Sequence, residues 1–451
     1  MILVPRSLFL LAFKCRSRHN IYRYIYPYII FSKKIAQILV KQQPEISQSQ
    51  SSNLDCDLVI VGGGIVGATL AAALKNSNLN IIIIEARPLE VAAAKTQAYA
   101  FSPLSSRIYE GIGIWDKIFP HIGKYSNISL SDADYSQQVK FNQKDLPGEH
   151  LGYVAQHNIV LGILQKHLAD CDNINWVCPG EVKNVTTEKN SSTVEVELNG
   201  EQRFITTKLV IGADGARSHI RNLAGIKTRG WKYWQSCVAF TIEHTALENN
   251  TAFERFWPSG PMGVLPLPGN RCQIVWTNPH AEAKALAELN EADFLAKLTT
   301  YTGGSLGNLK LVSKRMVFPV QLMQCDRYIK PRLALIGDAA HCCHPVGGQG
   351  LNLGIRDAAS LAQVLQTAQQ KGQDIGEIKV LKRYEGWRKI ENLAILGFTD
   401  LLDRMFSNSW LPVVALRRTG LWMMSYLKPL KIFALKLMTG LLGKTPKLAQ
   451  R

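Results

Sequence analysis

An α/β fold with an inserted antiparallel sheet and a helical C-terminus follows from three features of the sequence. The apolar run Leu58-Val59-Ile60-Val61 ends in Gly62-Gly63-Gly64-Ile65-Val66-Gly67 and continues into the helix formers Ala68-Thr69-Leu70-Ala71-Ala72-Ala73, giving strand, tight turn and helix in order. Two further buried-type runs, 208–211 and 333–336, end in Gly212-Ala213-Asp214-Gly215 and Gly337-Asp338. Open α/β sheets bind ligands at such carboxyl ends. Between these two runs, segments 237–242, 251–256 and 271–276 alternate like strands of an antiparallel sheet. The chain then divides into a basic extension outside the fold (1–54), a first Rossmann-like part (55–231), the inserted sheet (232–325), a second Rossmann-like part (326–395) and a helical basic segment (396–451).

Composition agrees with a folded chain. Its 451 residues are 46% hydrophobic and 19% charged, as in globular proteins. The net charge of +17 is concentrated at the ends: residues 1–54 carry +7, 404–451 carry +9, and the intervening body only +1. A near-neutral body argues against a nucleic-acid groove, which needs basic residues on the folded surface, and favours an anionic membrane surface as partner. Nine Cys with no C-x-x-C pair speak against a disulfide framework and place the body in a reducing compartment.

Residues 1–42 lack Asp and Glu and mix Arg and Lys with IYRYIYPYIIF. An organellar transit peptide, a membrane-surface anchor and a stretch upstream of the true start all fit. Charges interrupt every apolar run there before the roughly 20 residues that a spanning helix needs. At the other end, Leu430, Phe433, Leu437 and Leu441 fall near one helical face, and Ile432, Leu435, Met438 and Leu442 widen the stripe beyond that of an ordinary solvated helix. With Lys428, Lys431, Lys436 and Lys444 this pattern fits an interfacial helix on anionic lipid; the alternative is a terminal helix packed on the protein's own core.

The first motif has a physical reading at each position. Gly62 lets the chain turn, Gly64 lets the backbone approach a pyrophosphate, and Gly67 lets the helix lie close to the strand. The helix N-terminus offers free N–H groups to the phosphates. A second strand, Asn80-Ile81-Ile82-Ile83-Ile84, ends in Glu85, where a carboxylate accepts hydrogen bonds from an adenosine ribose. These residues alone leave NAD and FAD open.

GGGIVG, GADGARSHIR and GDAAHCCHPVGGQGLNLGIRD, in that order, resemble the three signatures of the class A flavoprotein monooxygenases. More narrowly, KTQAYAFSPLSSRIYEGIGIW and LGYVAQHNIVLGILQKHL are similar to the ubiquinone-biosynthesis hydroxylase family and its plastoquinone-related members. The resemblance implies FAD, with Gly62, Gly64, Ile65, Val66 and Gly67 at the pyrophosphate and Glu85 and Ala86 at the adenosine. It also implies FAD contacts from Arg107, Gln156, Asp214 and Asp338, and backbone amides of Gly348, Gly350, Leu351 and Asn352 at the flavin's pyrimidine edge. A helix N-terminus there stabilises the anionic reduced ring. Two positions depart from the pattern: Gln97-Ala98-Tyr99-Ala100-Phe101-Ser102 lacks a preceding Arg found in many relatives, and Gly347-Gly348-Gln349-Gly350 replaces AGQG.

The contiguous His341, Cys342, Cys343 and His344 have poor zinc-ligand spacing, so no metal is expected. They read as filling of the turn, with Pro345 shaping the approach to the flavin. No catalytic side chain stands out, which leaves the hard chemistry to the cofactor. The resemblance implies electrons from NAD(P)H or another reductant, addition of O2 to reduced flavin at C4a, and transfer of one oxygen atom to an electron-rich ring. The apolar, proline-rich stretch 258–268 is expected to line the pocket as a loop and, having no Arg suited to clamp a carboxylate, favours a prenylated phenol. Other readings are hydroxylation of a small soluble aromatic, flavin reduction of an isoprenoid double bond, and a membrane-bound scaffold subunit of a quinone-biosynthesis complex. The expected location is peripheral, on the cytoplasmic side of a membrane, or on the matrix side if residues 1–54 are a transit peptide.

Overall fold

The computed structural model describes residues 54–450, apart from 133, 134 and 136. The readings of the N-terminal extension therefore lie outside the described residues. From Cys56 the chain forms β1 (Cys56–Val61), α1 (Ile65–Ala73), β2 (Ile81–Ile84), β3 (Ala98–Phe101), α2 (Pro103–Ile112), β4 (Asn127–Asp132), β5 (Gln138–Asn142), β6 (Ile174–Val177) and β7 (Glu201–Gly212). There follow β8 (Thr228–His244), β9 (Thr251–Trp257), β10 (Gly260–Leu267), β11 (Arg271–Pro279), β12 (Met316–Cys325) and β13 (Leu333–Leu335). The last helices are α3 (Gln349–Gln370), α4 (Ile378–Phe406), α5 (Leu411–Tyr426) and α6 (Lys428–Thr439), and further helices and strands lie between the elements named.

The first sheet is mixed: five strands run parallel in the order β13-β7-β1-β2-β6, and three more at 180–187, 192–198 and 329–330 pair antiparallel. Apart from the polar first half of β7, the parallel strands are short and almost wholly apolar, as expected where helices cover both faces. The second sheet runs β12-β8-β11-β10-β9-β4-β5 and is antiparallel except where β9 lies parallel to β4. A small third sheet carries β3. Ser102 caps α2 by accepting from Ser105 N, with Pro103 in the first turn and Gly113 ending the helix at φ 86°. That cap fixes the direction in which the chain leaves β3.

Three sequence-based boundaries change. Residue 232 falls inside β8, which starts at Thr228. Gly230 is a packing glycine of that strand, because a Cβ there would lie 2.0 Å from Leu322 O. Residue 396 falls inside the 29-residue α4. The second sheet is also not confined to 232–325, since β4 and β5 extend it through the β9 pairing. The expected loop 258–268 is mostly β10: Pro261 and Pro266 each forfeit one N–H, yet strands on both sides hold the rest.

One buried network ties the third motif to the helices. Asp357 on α3 is fully buried and accepts from Gly337 N (3.1 Å), Arg388 Nε (2.8 Å) and Asn392 Nδ2 (3.0 Å), with His341 Nε2 at 2.6 Å. Burial alone would raise the carboxyl, but His341 and Arg388 reverse this and hold it well below the ordinary carboxylate range. Asp357→Ala should cost about 3–5 kcal/mol in denaturant unfolding, because it strips the buried Arg388 of its main counter-charge.

Candidate active site

The first motif builds one wall of a cavity of about 540 Å³. Gly62 has φ +106°, and a Cβ there would meet Ala213 O at 2.5 Å. At Gly67 a Cβ would meet Gly62 O at 2.0 Å, so glycine is what lets α1 sit this close to the end of β1. Gly64 differs, with φ −69° and nothing within 4 Å of a would-be Cβ. Gly64, Ile65 and Val66 line the cavity, and no side chain caps α1. Its first-turn N–H groups are thus left for an anion. Buried Glu85 accepts from Gly63 N (2.9 Å) through Oε2 and from Arg87 Nε (3.1 Å) through Oε1, which ties the end of β2 to the glycine turn.

The second and third motifs form the facing wall. Asp214 Oδ2 accepts from Ile220 N at 3.0 Å, while its neighbours Ala213 and Gly215 line the cavity. Arg221 joins the two motifs, donating to Ala216 O and Ala339 O, both at 3.0 Å. Asp338 lines the cavity, and burial pushes its carboxyl up while His341 pulls the other way. Past Pro345, Gly347 and Gly348 take φ +68° and +61°, and α3 begins at Gln349 without a side-chain cap. Gly348, Gly350, Leu351 and Asn352 all line the cavity.

By helix counting the free N–H groups at this end are those of Gln349, Gly350 and Leu351, and the N–H of Asn352 is the first bonded within the helix. Its side chain acts instead. Asn352 Nδ2 donates to Ala100 O (2.9 Å) and Gly348 O (2.8 Å), and Oδ1 accepts from Ser102 N and Ser105 Oγ, both at 2.8 Å. This clip fastens the start of α3 to β3 and α2.

Several expected residues stand outside the cavity lining, namely Gly62, Gly67, Glu85, Ala86, Arg107, Gln156 and Asp214. Gln156 Nε2 donates to Thr96 O at 3.2 Å, and Arg107 lies on α2. The cysteines that drew attention in the sequence both line the cavity as free thiols. Burial pushes Cys343 up to about 12 and raises Cys342 as well, so neither is a ready thiolate. Among the described residues no cluster of three or more His, Cys, Asp or Glu is arranged for a metal ion.

Beyond the motifs the cavity is apolar. Ile128, Leu130 and Phe141 come from β4 and β5, Pro261, Gly263 and Leu265 from β10, and Leu421, Met424, Leu435 and Met438 from α5 and α6. Phe256 and Phe406 stack at 3.9 Å on its wall. No Lys or Arg lines it among the described residues; Glu254 and Asp338 are its carboxylates. Sequence reasoning missed Glu254 and the inward faces of α5 and α6. Two uncapped helix N-termini and the side-chain-free opening at Gly64 suit a diphosphate-bearing flavin.

A family model described as an FAD binding domain matches residues 55–389. A ubiquinone hydroxylase of Rhodospirillum rubrum is 33% identical over 400 residues, covering 88% of this chain and 92% of that protein. The chain belongs to the FAD-dependent aromatic monooxygenases, in the family of the ubiquinone-biosynthesis hydroxylases. An uncharacterized protein of Synechocystis is 56% identical over 393 residues, covering 87% of this chain and 95% of that one. The crystal structure of a p-nitrophenol 4-monooxygenase from Pseudomonas putida superposes with a TM-score of 0.70 at 19% identity, covering 85% and 98% of the two chains, and shares the fold.

The two key glycines of this monooxygenase should separate folding from cofactor binding. Gly67→Ala drives a methyl into Gly62 O and should cost about 3 kcal/mol or more. Gly64→Ala should leave apoprotein stability within about 0.5 kcal/mol of the parent and weaken FAD roughly tenfold or more by crowding the pyrophosphate. Thermal unfolding of the apoprotein and a flavin fluorescence titration check both.

Proposed function

We propose that this monooxygenase hydroxylates the aromatic ring of a polyprenylated phenol on the route to ubiquinone or plastoquinone. The observation that carries this reading is the cavity wall: apolar side chains from both the second sheet and α4–α6 surround a space without Lys or Arg among the described residues. Such a wall accepts a prenyl chain and offers nothing to clamp a free carboxylate. The hydroxylase relative acts, by its name, in the same chemical territory. Bound FAD, reduced by NAD(P)H or another reductant, supplies the electrophilic oxygen atom from O2. This chain's residues hold the ring in place and exclude water, and the α3 N-terminus meets negative charge on the reduced ring. In a deletion strain, mass spectrometry should find the quinone depleted and a precursor lacking one ring hydroxyl accumulated. A normal quinone pool would defeat this reading.

A lipid substrate calls for a lipid surface. Trp410, Leu411, Trp422, Tyr426 and Phe433 on and beside α5 and α6 are half or more exposed, and Lys428 and Lys436 lie exposed among them. Aromatic side chains with interspersed lysines suit the headgroup region of an anionic bilayer. No helix among the described residues is long and apolar enough to cross a membrane. Attachment is thus peripheral, with α5 and α6 between bilayer and cavity. Sedimentation with vesicles containing phosphatidylglycerol should exceed that with neutral vesicles, fall with salt, and drop several-fold in a Trp410→Ser/Trp422→Ser variant. Binding that ignores both charge and these tryptophans would overturn the attachment.

A further inference from the structure

The cavity holds one carboxylate that neither FAD nor the fold accounts for. On β9, Ala252, Glu254 and Phe256 are alternate residues on the cavity wall. Glu254 Oε2 has one hydrogen bond, a long 3.4 Å contact from Gly347 N in the loop that leads to α3. Across β10 its partner is Gly263, where a Cβ would come within 3.6 Å of the carboxylate; the absent side chain leaves that space open. Across β4 its partner is Leu130.

The charges around it are committed elsewhere. Asp132, further along β4, is paired with Arg417 and Arg418. Arg255 points to the other face of the sheet, beside Gly303. Asp338, His157, Tyr99, Tyr125, Cys342 and Cys343 line the same cavity, and the Cys237 thiol on β8 and Asp403 on α4 are further titratable groups near it, both raised by burial. His344, beside Asp403, is driven neutral by burial and pushed down to about 3. No cation among the described residues offsets Glu254, so burial pushes its carboxyl up to about 7. An unpaired buried carboxylate is costly and is ordinarily replaced by a neutral side chain or matched with a cation. A carboxyl poised near neutrality inside a cavity is suited to moving a proton.

We propose that Glu254 is the proton acceptor for the hydroxyl of a phenol bound in this cavity. The inference rests on the phenolic reading given above. The phenol O–H bond breaks, its electron pair stays on oxygen and raises electron density at the ortho and para carbons, and an O–H bond forms on Glu254. After the ring carbon takes one oxygen atom of O2, that carbon releases its hydrogen as a proton to the second oxygen atom, which leaves as water, and the ring oxygen takes back the proton held by Glu254. The carboxylate is thereby restored, and no further reductant is needed beyond that of the monooxygenase reaction. A phenol has a pKa of about 10, so the transfer accompanies attack of the ring and is not complete beforehand.

The test uses the FAD-loaded full chain with 2-geranylphenol and a ring-fluorinated, more acidic counterpart. In the parent, kcat/KM should rise with pH through about 7 as Glu254 ionises. Glu254→Gln should lose that limb and about 100-fold or more of the rate, with the loss smaller for the more acidic phenol; Glu254→Asp should retain the limb. A second readout is independent of turnover. Because the folded state holds this proton more tightly than the unfolded chain, stability falls as pH rises from about 4.5 to about 7, and Glu254→Gln should flatten that slope in the apoprotein. A Gln variant with parental rate and pH profile, or an equal loss for both phenols, would overturn the role of Glu254. A parent enzyme that binds FAD but oxygenates neither phenol would instead overturn the phenolic reading, and this assignment with it.

Discussion

Asp357 is the fixed point of the flavin end of this molecule. Its two oxygens collect the Gly337 amide, His341, Arg388 and Asn392, so one carboxylate sets the spacing between the strand that delivers Asp338, the turn after it and the two longest helices. The cost of burying a charge is met here because every neighbour donates to it. The direction of α3, and with it the N-terminal amides that face the cavity, depends on that arrangement. Arg221 and Asn352 extend the same logic outward, one to the second motif and one to β3.

Parts of this arrangement were legible in the sequence because the demands are local. Gly62, Gly64 and Gly67 answer three separate steric questions within six residues, and the structure gives a different answer at each. Asp357 was not legible as a hub. It ends a quoted motif and resembles a surface charge, while Arg388 and Asn392 lie 31 and 35 residues further on, on another helix. Glu254 was hidden for a different reason. In Thr251-Ala252-Phe253-Glu254-Arg255-Phe256-Trp257 both phases of the strand mix one charged with two apolar residues, so alternation names no outward face. The β10 prolines misled in the opposite sense, since proline reads as loop until both neighbouring strands are known.

The broad apolar stripe of α6 shows how one pattern can serve two surfaces. Leu435 and Met438 face the cavity, whereas Leu430 and Phe433 are exposed. Sequence periodicity registers only the total width of the stripe and does not say which part of it is buried. The fold class is less exposed to this ambiguity: β1, β2 and the last four residues of β7 are buried runs that read as strands of a covered parallel sheet.

The α5–α6 pair is moored at both ends. It follows α4 directly, and beyond it Lys444 N donates to Glu391 Oε1 (3.0 Å) and Lys447 N to Gln363 Oε1 (2.9 Å). The chain then presses Leu448 onto α2 so closely that a Cβ on Gly111 would sit 2.0 Å from its carbonyl oxygen. A segment held in this way cannot swing clear like a flap on a single hinge. Any widening of the cavity on this side calls for the two helices to part sideways between their two moorings.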